Sequence, residues 1–194
     1  MTQAVIGGIE KRELRHAFGT FATGVTVVTT RTEDGVPHGA TVNAFAAVSL
    51  DPPLALVTLT RASRAARYLE GAPFAINILS LEQMDVALHF AGKVHDAEPE
   101  WTLDGSVPVL TGNAATLECR PWNIYDGGDH IVVVGEVIAM DITKLEPLVF
   151  YGGEFHAMGH RVAGAQWDPS GDAPESGWFA GSSSFRPLHA PKSL

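Results

Sequence analysis

Asp126-Gly127-Gly128-Asp129-His130-Ile131-Val132-Val133-Val134-Gly135-Glu136-Val137-Ile138-Ala139-Met140-Asp141 is a turn followed by the clearest strand in the chain. Six branched apolar residues crowd the run from His130 to Asp141, and such side chains pack well on a pleated sheet. Ala114 to Trp122 reads as a strand before the turn, and Leu148 to Met158 as two short strands after it, broken by Gly152-Gly153. Upstream, Phe74 to Leu79, Leu54 to Leu59 and Val25 to Arg31 read as further strands, with Leu54 to Leu59 buried on both faces. Thr32-Glu33-Asp34-Gly35 is hairpin chemistry, and Val36 to Leu50 is its long return, stopped by Pro52-Pro53. Helices are expected over Glu10 to Ala22, where Leu14, Ala17, Phe18 and Phe21 share a face, and from Ser63 to Leu69 before Gly71. A third is expected from Leu81 to about Phe90, where Ser80 and Gln83 form a capping box. Ala91 to Pro108 is expected to be a loop. About seven strands and three short helices without regular alternation predict a mainly β (α+β) antiparallel barrel with helical insertions, not a doubly wound sheet.

The chain has 194 residues, of which 45% are hydrophobic, enough for one core without a disulfide. Residues 1–159 are expected to form the domain. Residues 160–194 differ: Gly, Ser and Pro fill 14 of the 35 positions, yet Trp167, Trp178, Phe179 and Phe185 lie among them. That stretch is therefore either an arm packing on the domain or a partner copy, or a mobile tail. The absence of a basic start followed by an apolar run, and of any membrane-length apolar stretch, leads to the expectation of a cytoplasmic protein with no membrane partner. A formal charge of −9 argues against nucleic acid, which needs clustered Lys and Arg. It leaves room for an anionic cofactor, because a few local cations or backbone N–H groups bind a phosphate in an acidic protein.

There is no G-x-G-x-x-G after a strand, no P-loop, no G-x-S-x-G and no Cys pair for zinc. Any nicotinamide must therefore bind outside a Rossmann fold. Cys119 is a reactive thiol or a small buried strand residue. His156 and His160, near Glu154, have helical ligand spacing, but the surrounding Gly152, Gly153 and Gly159 argue against a helix, and no metal is expected. His130, where the turn enters the strand, is a functional imidazole at a barrel mouth or a turn histidine bonded to backbone. Gly39 to Pro53 is strand-like, with mostly small side chains. It either lets a flat ligand approach the backbone, with Asn43 and Ser49 adding polar groups, or is crowded by a helix. Arg61-Ala62-Ser63-Arg64 opens a helix, as a phosphate site aided by Ser63, Arg64 and Arg67 or as a solvated helix start.

Together these pieces resemble the flavin reductase-like domain family, the small components of two-component flavin monooxygenases. The resemblance runs from about Leu14 to Gly159 and rests on the order and spacing of many pieces. Among them are Gly24-Val25-Thr26-Val27-Val28-Thr29, Gly39 to Pro53, Phe74 to Ser80, Phe90-Ala91-Gly92, Leu117-Glu118-Cys119, Gly128-Asp129-His130 and Tyr151 to Phe155. It implies a split β-barrel homodimer with flavin near the subunit interface. Thr41, Val42, Asn43, Ala44, Ser49 and Leu50 would line the isoalloxazine and ribityl chain, and Ser63 and Arg64 would approach the phosphate. Phe90 and Ala91 would close the flavin pocket, and His130 would sit by the nicotinamide with Phe155 near. The implied activity is NAD(P)H:flavin oxidoreduction, with NADH or NADPH reducing FMN or FAD for a partner monooxygenase. A ferric-chelate reductase, a non-catalytic flavin-binding module and an oxygenase-recruiting scaffold are the alternatives. The family often has a hydroxyl residue where this chain has Ala44 and Ala65. Each loss removes a bond worth about 1 kcal/mol and weakens flavin binding unless Arg64 and Arg67 compensate.

Overall fold

The computed structural model describes residues 8–93 and 98–160. A helix, α1 (Lys11–Gly19), leads to the two-residue strand β1 (Thr23–Gly24) and to β2 (Thr26–Arg31). Next come β3 (Pro37–Val42), β4 (Phe45–Leu50), β5 (Pro53–Thr60), α2 (Arg64–Tyr68) and β6 (Phe74–Ile78). A 3-10 turn at Leu81–Gln83 runs into α3 (Met84–Phe90). The remaining strands are β7 (Trp101–Thr102), β8 (Val109–Leu110), β9 (Ala115–Gly127), β10 (His130–Ile142), β11 (Val149–Tyr151) and β12 (Glu154–His156).

The main sheet has seven strands in the order β3-β2-β6-β9-β10-β5-β4, all paired antiparallel. Its edge strands, β3 and β4, are separated in the chain only by Asn43 and Ala44. Three Cα steps reach at most about 11 Å, so the sheet must curl until its edges approach each other. The Ala44 carbonyl accepts from the Thr58 N–H at 3.1 Å, tying the link to β5. A smaller sheet, β1-β11-β12, carries the Gly152-Gly153 turn.

Several local expectations hold. Ser63 caps α2 by accepting from the Ala66 N–H at 3.1 Å, and the Ser80–Gln83 capping box is formed. Others change. The single return over Val36 to Leu50 is two strands, broken at Asn43-Ala44 where the chain passes from one sheet edge to the other. β5 is not buried on both faces: Ala55, Val57 and Leu59 are buried while Leu54, Leu56 and Thr58 are half-buried, as on a sheet with one core face. The loop after α3 contains β7, which pairs with β8, and β9 extends to Gly127 because its whole length has β10 as a partner.

Two apolar clusters fill the structure. One lies inside the curled sheet, where Val28, Val57, Leu59, Phe74, Ile76 and Val133 pack with Ala65, Ala66 and Leu69 around α2. Burying a side chain such as Phe74 contributes about 2–3 kcal/mol. The other, on the opposite face of β2, holds Val25, Val27, Leu79, Ala87, Leu110 and Leu148 against α3. The alternation of Val27 and Val28 makes β2 the wall between them. α1 forms within the expected Glu10 to Ala22 stretch but ends at Gly19, leaving Phe21 outside it; none of its residues is buried, and Phe18 and Phe21 stand exposed.

Candidate functional site

The β9–β10 hairpin closes with a two-residue loop, Gly128-Asp129, between the paired Gly127 and His130. Gly128 has φ +76° and Asp129 a negative φ, the pattern of a type II′ turn, which needs glycine at its first central position. His130 lies opposite Thr60, the last residue of β5. Both ring nitrogens are occupied. Nδ1 donates to Asp129 Oδ1 at 2.7 Å, and Nε2 meets Thr60 Oγ1 at 3.2 Å. The carboxylate fixes the Nδ1–H tautomer, so a neutral His130 accepts the Thr60 hydroxyl at Nε2. The imidazole beside Asp129 holds that carboxyl below its usual range, first through the hydrogen bond and then through charge. Asp126 is also held low, by the Gly128 N–H and then by Arg61.

The small-residue ribbon divides in two. On β3, Gly39 lies under α3, where a Cβ would come 2.9 Å from the Phe90 ring. Thr41 donates its hydroxyl to the Ala87 carbonyl at 2.7 Å, and the Val42 carbonyl accepts from Thr26 Oγ1 at 2.9 Å. Here the crowding-helix reading is right. From Asn43 onward, Ala46, Ala47, Val48 and Leu50 are exposed, on an edge strand whose outer side pairs with no strand among the described residues. Val48 makes a register shift that precedes Ser49. Six residues of strand span about 20 Å, so Asn43-Ala44 and Ser49-Leu50 sit at opposite ends of β4.

Ser63 uses an oxygen lone pair on Ala66 but keeps its hydroxyl proton to donate, and Arg64 is exposed at the first position of α2. Arg64 and burial, burial first, lower the pKa of His38, whose ring meets Tyr68 edge-on at 5.2 Å. Ala65 is buried in the first apolar cluster, so its side chain is turned to the core. Phe90 is half-buried against the second cluster, edge-on to Trp101 at 5.8 Å, and Ala91 is exposed at the end of α3. Phe155 packs edge-on to Phe150 at 5.4 Å in the small sheet.

Three of the expected groups therefore converge: the Asn43-Ala44 link tied to Thr58, the Ser63-Arg64 helix start, and His130 against Thr60, all around the last residues of β5. Asn43 also borders a cavity of about 450 Å³ with Arg15, His16, Phe18, Phe150 and Tyr151. Phe155 lines a different cavity, of about 270 Å³, with Met84 and Leu148, and His130 borders neither. Sequence reasoning missed Arg15, His16 and Tyr151, which line that cavity with Asn43 although they lie far from it in the chain. It also gave Thr60 and Arg61 no part of their own at His130. Cys119 is buried in β9, and burial, followed by Glu118, pushes its thiol up to about 12, the inert alternative. His156 lies on a strand and directs Nε2 to the Tyr151 carbonyl at 3.2 Å, so the helical spacing to His160 is not realised.

The profile of the flavin reductase like domain matches residues 18–159. The chain belongs to this family. Flavin reductase PheA2 in its native state superposes on this flavin reductase-like chain with a TM-score of 0.75 at 36% identity, covering 78% of this chain and 100% of that one. FMN reductase (NADH) SmoA of Agrobacterium fabrum is 44% identical over 155 residues, 78% of this chain and 88% of the relative. The HsaB reductase subunit of a flavin-dependent monooxygenase from Rhodococcus jostii is 40% identical over 153 residues, 76% and 77% of the two chains.

The residues present suit the cofactor of such a family. A flavin offers a flat heteroaromatic edge with donors and acceptors, and an anionic tail. The exposed side of β4 combines small side chains with outward backbone N–H and C=O groups, and Arg64 with the free proton of Ser63 stands at the helix that follows β5.

Proposed function

We propose that this chain is the reductase of a two-component flavin-dependent monooxygenase: it reduces FMN or FAD with NADH or NADPH and releases the reduced flavin to its partner. The convergence of Asn43-Ala44, Ser63-Arg64 and His130 around the end of β5 carries this reading. Bound flavin supplies the hydride acceptor; the protein supplies binding, orientation and exclusion of water. Asn43, Ala44 and the β4 backbone hold the ring edge, and Arg64 and Ser63 meet the phosphate. Thr41 and Val42 back this face through their bonds to α3 and β2, with Phe90 and Ala91 at its α3 side. With both ring nitrogens engaged, His130 acts by its ring, as a wall that orders the nicotinamide and keeps water out. Transfer of hydride between two cofactors needs no protein acid, base or nucleophile.

The curled sheet is read as a split barrel, and the working form as a homodimer. Val48 and Leu50 on β4, Ile138, Met140 and Ile142 on β10, Phe18 on α1 and Phe21 just after it are exposed apolar side chains that support a second copy as their cover. Such a dimer would let Ser49-Leu50 and Phe155 reach a site that one copy leaves spread out. Sedimentation that gives only monomer at assay concentrations would remove the dimer. For the activity, stopped-flow mixing of anaerobic protein with flavin and each nicotinamide should bleach the flavin and consume nicotinamide together. Protein that catalyses neither loss with any pair sinks the reading.

A further inference from the structure

Thr60, the last residue of β5, and Arg61, the residue after it, hold the whole 126–129 turn. Arg61 donates Nε–H to the Gly128 carbonyl at 2.8 Å and places Nη2 2.7 Å from Asp126 Oδ2. Its backbone N–H donates to the Asp129 carbonyl at 3.0 Å. Asp126 Oδ1 accepts from the Gly128 N–H at 2.8 Å, and the neighbouring Thr60 takes the far nitrogen of His130. A turn containing two consecutive glycines has the most conformational freedom to lose, and its orientation sets that of Asp129 and the imidazole. Arg61 and Asp126 are largely solvent-exposed, so their ion pair adds little to global stability. Its hydrogen bonds act locally, on the Gly128 and Asp129 carbonyls just before His130.

We propose that Arg61 is a positioning residue, which, with Thr60, presets the His130 ring for the nicotinamide by clamping the Gly127-Gly128-Asp129 turn to the end of β5. This rests on the placement of His130 beside the nicotinamide given above. Arg61 is distinct from Arg64: its guanidinium is committed to the turn, whereas Arg64 is the residue proposed above for the phosphate.

The test compares Arg61→Ala, Arg61→Lys, His130→Ala and the double variant Arg61→Ala/His130→Ala in full-length protein. Nicotinamide KM and kcat are read at saturating flavin, and flavin Kd by fluorescence quenching. Arg61→Ala should raise the nicotinamide KM roughly tenfold, because a small misplacement of an orienting group is costly. Flavin Kd should move by less than about twofold, since the clamp is independent of the phosphate contacts. Arg61→Lys should recover part of the loss, because an ammonium can meet Asp126 but lacks the planar fork that also reaches the Gly128 carbonyl. In the His130→Ala background the Arg61 substitution should add less than about twofold, the signature of one residue acting through another. If the Arg61→Ala loss persists in full without His130, or if Arg61→Ala leaves KM unchanged while His130→Ala raises it, the positioning role is overturned. An unchanged KM in His130→Ala would instead remove the placement of His130, and the proposal with it. Should Arg61→Ala fail to fold by circular dichroism, Asp126→Asn loosens the same turn from its other side and is held to the same KM and Kd criteria.

Discussion

The β3 and β4 halves of the small-residue ribbon both carry small side chains, with opposite meanings. On β3, Gly39 is small because the Phe90 ring and Val27 Cγ1 leave a Cβ only 2.9 and 3.1 Å. On β4, Ala46 and Ala47 are exposed on a free edge, and no neighbour among the described residues demands their size. A small side chain records either a close neighbour within the protein or room kept for something outside it. Only the partner strand or helix tells which.

Substitutions that enlarge each half should separate the two. Gly39→Val should be the most damaging, about 3 kcal/mol in denaturant unfolding, because Phe90 is itself held against Trp101 and His89 and cannot easily retreat. Gly39→Val within about 0.5 kcal/mol of wild type would show that β3 is as open as β4. Phe90→Ala should cost about 2 kcal/mol for a half-buried ring, and should make Gly39→Ala markedly cheaper in the double variant, where only the 3.1 Å approach to Val27 Cγ1 is left. Additive losses would break the claim that the two residues share one contact. Thr41→Val should cost about 1 kcal/mol through loss of the bond to Ala87.

On the open half, Ala46→Leu should leave unfolding within about 0.5 kcal/mol of wild type. Its effect should appear in binding, as a rise of about fivefold or more in flavin Kd measured by quenching. Unchanged affinity would leave the β4 edge without a ligand. The smallest effect is electrostatic. Asp126 and Asp129 have depressed carboxyl pKa values in the folded chain, so whatever they add is present above the unfolded value near 3.8 and is lost as pH falls through the folded values. Amide exchange at Gly128 should therefore quicken relative to the β2 core only below about pH 4. Quickening already near neutrality would mean that the turn is not held by these carboxylates.

Most short-range features were legible in the sequence. Ser80 and Gln83 bond within one turn of chain, Ser63 caps its own helix, and Gly128 marks a turn that requires it. Such signals need only a few consecutive residues and so survive without knowledge of the fold. The Asn43, Ser63 and His130 candidates were legible as separate pieces. Their meeting around β5 was not, because it depends on the register that sets Thr60 opposite His130 across seventy residues of chain.

The amino-acid order alone determined an antiparallel, mainly β chain, its turns and caps, and its likeness to the flavin reductase-like domain family, since backbone propensity and spacing are local properties. Tertiary structure decided which small residues face a helix and which face outward, turned Ala65 into the core and Cys119 into an inert thiol, and gave Arg61 its hold on the turn before His130. These follow from the strand order β3-β2-β6-β9-β10-β5-β4, a set of long-range pairings selected by the packing of the whole chain.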